Sequence, residues 1–162
     1  MMPSLEERIQ RLEDIEAIKQ LKAKYLHNCD VKDIEGIRDC FSTNEVIIDY
    51  GVIGSFSNRE SFLEVFQAMA CNEHTIDMHH GQNPQITWID AEKASACWDL
   101  YFYQINTETK NLTQLSGSYA DEYEKQNGQW VITKTIFVVS STVVTDIKDD
   151  NVSNIFAGSR PA

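Results

Sequence analysis

No run of apolar residues in this chain approaches the roughly 20 needed for a membrane-spanning helix. The N-terminal stretch MMPSLEERIQRLEDIEAIK is polar and helical in pattern, without the apolar core of a secretory signal, so the protein is read as cytoplasmic. Basic residues are few: 14 Lys and Arg stand against 25 Asp and Glu, a formal net charge of −11. Such a surface repels phosphate backbones and anionic lipid, which argues against nucleic-acid and membrane partners. Cysteine is sparse and scattered. Cys29, Cys40, Cys71 and Cys97 include no CxxC pair, so they read as buried thiols of a cytosolic chain rather than disulfides or zinc ligands. A Gly-rich phosphate loop, an HExxH helix and a GxSxG elbow are all absent, as are internal repeats, linkers and low-complexity segments.

What is present fits one domain with one core: 162 residues can bury enough apolar surface to fold without metals or disulfides. Ser4-Leu5-Glu6-Glu7 is a capping box that opens a long helix. Leu5, Ile9, Leu12, Ile15, Ile18, Leu21 and Tyr25 recur at three- and four-residue intervals, predicting an apolar stripe that ends near Asn28 to Asp30. A short second helix is expected over residues 33–41, with Ile34, Ile37 and Phe41 buried. Two short strands are expected over 45–50 and 51–56. A second capping box at Ser57-Asn58-Arg59-Glu60 starts a helix that turns Phe62, Phe66 and Met69 inward. From Met78 the pattern becomes extended. Strands are expected over 93–106, 114–125 and 129–144, the last two joined by an Asn127-Gly128 hairpin turn. Helices first and long hairpin strands last predict an α+β fold, with N-terminal helices over one face of a curved, mainly antiparallel sheet. Such a sheet makes a cone, and a cone encloses a pocket. The domain is placed at residues 1–144 and a polar tail at 145–162, with Ile155-Phe156 as its only apolar anchor.

Three polar residues stand where chemistry is plausible. Tyr25 lies on the apolar stripe and is either a core tyrosine with its hydroxyl at the rim or a donor to a substrate oxygen. Asp30 follows five residues later, about 140° around a continuous helix, so the two converge only where the helix ends or bends. Asp30 otherwise reads as a cap or a turn residue. His79 and His80 open an extended segment, and alternation lets only one face a pocket. A histidine beside an aspartate is held in one tautomer and acts as a base near neutral pH. His27 and His74 read as surface residues.

The pieces Asp14-Ile15-Glu16-Ala17-Ile18-Lys19, Met78-His79-His80-Gly81-Gln82-Asn83-Pro84 and Tyr119-Ala120-Asp121-Glu122-Tyr123-Glu124, with Asn127-Gly128-Gln129-Trp130 behind them, resemble the SnoaL-like branch of the NTF2-like superfamily. The resemblance covers about residues 12–144 and implies a cone-shaped α+β barrel. The branch includes bile-acid dehydratases and hexachlorocyclohexane dehydrochlorinase. Their catalytic aspartate and histidine fall at Asp30 and His79, and the dehydratase tyrosine at Tyr25. A second acidic residue and an arginine of the dehydratases would fall at Phe102 and Val139, which implies a drier pocket suited to a neutral substrate.

The resemblance therefore implies a cofactor-independent lyase or isomerase, of dehydratase, dehydrohalogenase or cyclase type. It would take a proton from a small apolar or cyclic substrate, with His79 as base, Asp30 orienting it and Tyr25 binding a substrate oxygen. No metal or organic cofactor is called for. Trp98, Phe102 and Val139 are expected to line the pocket, and His80 to point away. The alternative is a non-catalytic module that binds a small hydrophobic ligand or mediates assembly. Apolar residues at both parities of the last strand (Trp130, Ile132, Ile136 and Val138; Val131, Phe137 and Val139) predict a homo-oligomer, trimer or dimer, joined through the outer face of the sheet.

Overall fold

A computed structural model describes residues 2–148 and 150, and the proposed anchor at Ile155-Phe156 lies outside them. Helix α1 spans Leu5–Val31 and opens on the expected capping box, in which the Ser4 side chain accepts from the Glu7 N–H and the Glu7 carboxylate accepts from the Ser4 N–H. It ends at Lys32, a left-handed C-cap (φ 62°) whose N–H returns to the Asn28 carbonyl. The predicted stripe holds only in part. Leu5, Ile9 and Leu12 are exposed, because residues 2–13 project with every side chain open to solvent. Further along, the buried side chains are Asp14, Ile18, Lys22, Tyr25, Leu26, Asn28 and Cys29. Two charges therefore sit inside where an apolar stripe was expected.

Helix α2 is shorter than predicted, Ile34–Arg38, capped by the Asp33 side chain. The next stretch holds less strand than expected. Only β1, Ile47–Asp49, and β2, Ser55–Phe56, are extended, with a 3-10 turn over Gly51–Ile53 between them. Helix α3 spans Arg59–Ala70 and starts on Asn58 rather than Ser57, since the Asn58 side chain accepts from the Ser61 N–H. Four long strands follow: β3 Thr75–Trp88, β4 Lys93–Asn106, β5 Asn111–Gln126 and β6 Gln129–Asp146. The β5–β6 hairpin turns on Asn127 and Gly128, both at positive φ (53° and 79°), the backbone that a two-residue primed turn requires.

The six strands form one open sheet in the order β2-β1-β6-β5-β4-β3, antiparallel except where β1 runs parallel to β6. Breaks in register at Gln82/Gln85 on β3, and at Ser116/Gly117 and Glu122/Tyr123 on β5, accompany its curvature. The last break corrects the expected facing of β6. Tyr123 pairs with Ile132 but Glu122 pairs with Lys134, so Thr133 is one residue too many. Past that point the strand alternates on the opposite parity. Trp130, Ile132 and Thr135 are buried, Phe137 turns into the cone, and Val138 faces out. The core fills the space between α1 and the concave face of the sheet and includes Ile18, Leu26, Phe41, Ile48, Leu100, Tyr123 and Ile132. No helix among the described residues is long and apolar enough to cross a membrane.

Candidate active site

Strand β3 is a free edge of the sheet, so alternate backbone N–H groups along it have no strand to pair with. Helix α1 runs beside this edge and supplies a partner at one of them. The Asp30 carboxylate accepts the His79 backbone N–H at 3.0 Å (Oδ1) and 3.2 Å (Oδ2). The same Oδ1 lies 2.6 Å from His79 Nδ1. With its N–H turned away from β4, His79 forms a non-hydrogen-bonded pair with Phe102, the kind that brings side chains close. The imidazole and Phe102 ring centroids are 4.7 Å apart. A carboxylate can only accept, so the ring proton sits on Nδ1 and Nε2 is left with its lone pair. Both side chains are largely buried, His79 17% and Asp30 22% exposed.

The imidazole forms part of the wall of a cavity of about 240 Å³ in the mouth of the cone. Most of the remaining wall is apolar: Phe62 and Phe66 from α3, Leu100 and Phe102 from β4, Leu115 from β5 and Phe137 from β6. Gly117 gives Phe137 its place, since a Cβ there would stand 2.4 Å from the Phe137 ring. The Tyr25 and Tyr50 hydroxyls are 2.6 Å apart, and both residues line the cavity with Tyr119. Burial pushes all three phenols above their ordinary range, so they remain neutral hydrogen-bonding groups. One proton of the Tyr25–Tyr50 pair is taken up between them, which leaves the second for another acceptor.

The geometry treats the expected site residues differently. Asp30 and His79 are brought together. Tyr25 and Asp30 do not converge, because α1 continues unbroken past both; the Tyr25 hydroxyl meets Tyr50 instead. Phe102 is in the wall. Trp98 lies deeper, under α1, where its Nε1 donates to the Tyr123 hydroxyl at 3.0 Å. It borders a separate open groove of about 650 Å³ between α1 and β3, which reaches Asp30 and His79 from outside. Val139 is a correction. It shares the parity of Phe137 but is 48% exposed and does not line the cavity, because β6 is exposed from Val138 to its end. His80 is exposed and borders the outer groove.

Several wall residues had escaped sequence reasoning. Tyr50 lay inside a predicted strand, and Asp77 and Gln104 were unremarkable polar residues on β3 and β4. Gln104 donates to Asp77 at 2.8 Å, and Asp77 also pairs with Lys32, a pair whose side chains are each only 4% exposed. Among the described residues no three His, Cys, Asp or Glu side chains converge as a metal site would require.

The architecture recurs in solved structures of low sequence identity. A candidate scytalone dehydratase from Novosphingobium aromaticivorans superposes with a TM-score of 0.79 at 17% identity, over 87% of this chain and 93% of that one. A type 2 hexachlorocyclohexane dehydrochlorinase (LinA) gives 0.78 at 18% identity, over 85% and 93%. The type 3 LinA from Novosphingobium barchaimii gives 0.76 at 18%, over 85% and 94%. At such identities these likenesses speak to the fold alone. The family model of the SnoaL-like domain, by contrast, matches residues 10–136, a span that holds most of α1, the edge strand with His79 and most of the cavity wall. The chain belongs to the SnoaL-like domain family, within the NTF2-like superfamily.

Proposed function

We propose that the protein is a cofactor-independent lyase or isomerase that takes a proton from a small apolar or cyclic substrate with His79 as general base. One observation carries this reading: the 2.6 Å contact between Asp30 and Nδ1, locked further by the His79 backbone N–H, leaves Nε2 as the basic atom at an apolar cavity. Nε2 accepts the proton of a substrate C–H. The C–H electron pair forms the new double bond, and the neighbouring group leaves with its own bonding pair. Asp30 stabilises the imidazolium that results. Tyr25 and Tyr50 present a hydroxyl proton to a substrate oxygen, where charge builds as the bond breaks. The dehydratase and dehydrochlorinase names among the structural neighbours are consistent with chemistry of this kind.

The test is a panel of dehydration and dehydrohalogenation substrates, followed by two variants. His79→Ala should cost about two to four powers of ten in kcat/KM, the usual contribution of a general base, with the fold retained. His80→Ala should stay within tenfold of wild type, because its side chain faces the outer groove. Equal activity in both variants, on a substrate the wild type turns over, would end the Asp–His mechanism.

A further inference from the structure

Two residues along the strands from the His79–Phe102 pair, and so on the same face of the sheet, stand Asp77 and Gln104, again directly opposite each other. Both side chains reach the same cavity. Their bonding fixes what the amide shows to a ligand. Asp77 Oδ2 is held by Lys32, and its Oδ1 accepts from Gln104 Nε2 at 2.8 Å. Because the carboxylate can only accept, the amide cannot flip: nitrogen must face Asp77. The Gln104 carbonyl oxygen is thereby turned to the other side, and no other hydrogen bond of the Gln104 side chain occurs among the described residues. The Lys32–Asp77 pair is nearly fully buried, an arrangement that an apolar pair of similar volume would often match or better in stability. Lys32 reaches it from a left-handed backbone that a non-glycine residue seldom adopts. Burial and backbone strain here both serve to hold one amide still in a largely apolar wall.

We propose that Gln104, fixed by the buried Lys32–Asp77 pair, is a specificity residue that accepts a hydrogen bond from a hydroxyl or N–H group of the ligand. The accepted group lies two residues along the strand, about 7 Å, from the His79 base. The pocket thus selects a substrate with a polar donor at one end over a plain hydrocarbon or halocarbon of the same shape. A ligand without that donor would strip water from the amide and return nothing, a loss that binding sites discriminate against strongly. The inference rests on the cavity being the ligand site of the proposed lyase, but not on turnover.

The experiment is therefore a binding one, using 2-naphthol and its near-isostere 2-methylnaphthalene as probes of the full chain by fluorescence titration. Wild type should bind 2-naphthol about five- to tenfold more tightly, the usual value of one net hydrogen bond. Gln104→Met, which keeps the volume of the side chain, should bring the ratio to within twofold by weakening 2-naphthol alone. A readout that needs no variant accompanies it: the Gln104 side-chain amide resonances should shift on titration with 2-naphthol, and by much less with 2-methylnaphthalene. A preference that survives Gln104→Met, or amide resonances indifferent to both probes, would overturn the role of Gln104 while leaving the lyase reading standing. Failure of both probes to bind wild type would overturn the cavity as a ligand site, and this inference with it.

Discussion

Lys22 is the most telling single position for the stability of this fold. Its ammonium is 1% exposed and donates at 2.7 Å to Asp121 Oδ2, a carboxylate with no exposed side-chain surface. It also stands 3.5 Å from the centroid of the Tyr119 ring. Burial lowers the Lys22 pKa, and the Asp121 carboxylate opposes that shift only in part. Asp121 Oδ2 accepts a second bond from the Tyr123 hydroxyl at 2.7 Å, while its Oδ1 is buried with no hydrogen-bond partner among the described residues. Replacing Lys22 by Met keeps most of the volume but leaves that carboxylate with one neutral donor. Breaking one side of a buried pair costs about 3–5 kcal/mol. At about 2–4 °C per kcal/mol for a domain of this size, the midpoint should fall by about 6–20 °C. The assay is urea unfolding with a check that the m-value is unchanged. Asp121→Asn still accepts from Tyr123 but carries no charge, so Lys22→Met should cost less by about 1–3 kcal/mol in that background. A Lys22→Met protein within about 1 kcal/mol of wild type, or strict additivity in the double variant, would refute the picture of a buried, charge-paired clamp.

The remaining expectations are shorter. Asp30→Asn should lower kcat by about 10²–10⁴, with KM little changed, because a neutral amide cannot stabilise the imidazolium that the proposed base becomes; steady-state kinetics on any turned-over substrate checks it. Asp14 is pushed up by burial, but bonds from Lys125 (2.6 Å), Trp130 (3.0 Å) and Gln10 (3.2 Å) outweigh this and lower its pKa. A lowered carboxyl contributes stability above the ordinary carboxylate range and loses it as pH falls through the folded value. Asp14→Asn should therefore destabilise at neutral pH and flatten the acid side of the stability–pH curve, read by thermal melts from pH 7 to 3. The exposed Val138, Val139, Val143 and Val144 on β6 lead us to propose that the chain self-associates; light scattering at micromolar concentration should give more than the monomer mass, and Val143→Asp should reduce it.

What could be read from the sequence was local. The Ser4 capping box and the Asn127-Gly128 turn carry their geometry in two to four adjacent residues, and β4 begins and ends where its aromatic run predicted. What was legible of the site came from the family resemblance: Asp30 and His79, which meet, and Tyr25 and Phe102, which line the cavity. Tyr50 and Gln104 belong to the cavity through pairings 25 and 27 residues distant, with Tyr25 and Asp77, and no local pattern signals either. The facing of β6 failed for a different reason. A single extra residue, Thr133, inverts the side chains from Lys134 to the next break after Val139, and the Thr-Lys-Thr stretch around it looks like any other solvent-facing segment.

The misreading of α1 shows how the fold brings Asp30 to His79. Apolar periodicity predicted a stripe from Leu5 to Tyr25, but the side chains that tie the helix to the sheet follow another line: Asp14, Ile18, Lys22, Leu26 and Asp30. These are successive positions of one four-residue ridge, and along it charged and apolar residues alternate. Each charge grips a different part of the sheet: Asp14 the turn end of β5 and β6 through Lys125 and Trp130, Lys22 the middle of β5 through Asp121, Asp30 the free edge at His79. A four-residue step overshoots a full turn by about 40°, so the ridge winds about 160° around the helix over these sixteen residues. That winding lets one straight helix face β5 at one end and the edge strand β3 at the other. The clamps at Asp14 and Lys22 fix the rotation of α1 about its axis. Asp30 lies eight residues past Lys22, and a small rotation there would carry its carboxylate out of reach of both His79 nitrogens. On the proposed mechanism, the buried charges on α1 bear on the base at a distance. Lys22→Met, where it still folds, should lengthen the Asp30–His79 bond and lower kcat more than it raises KM.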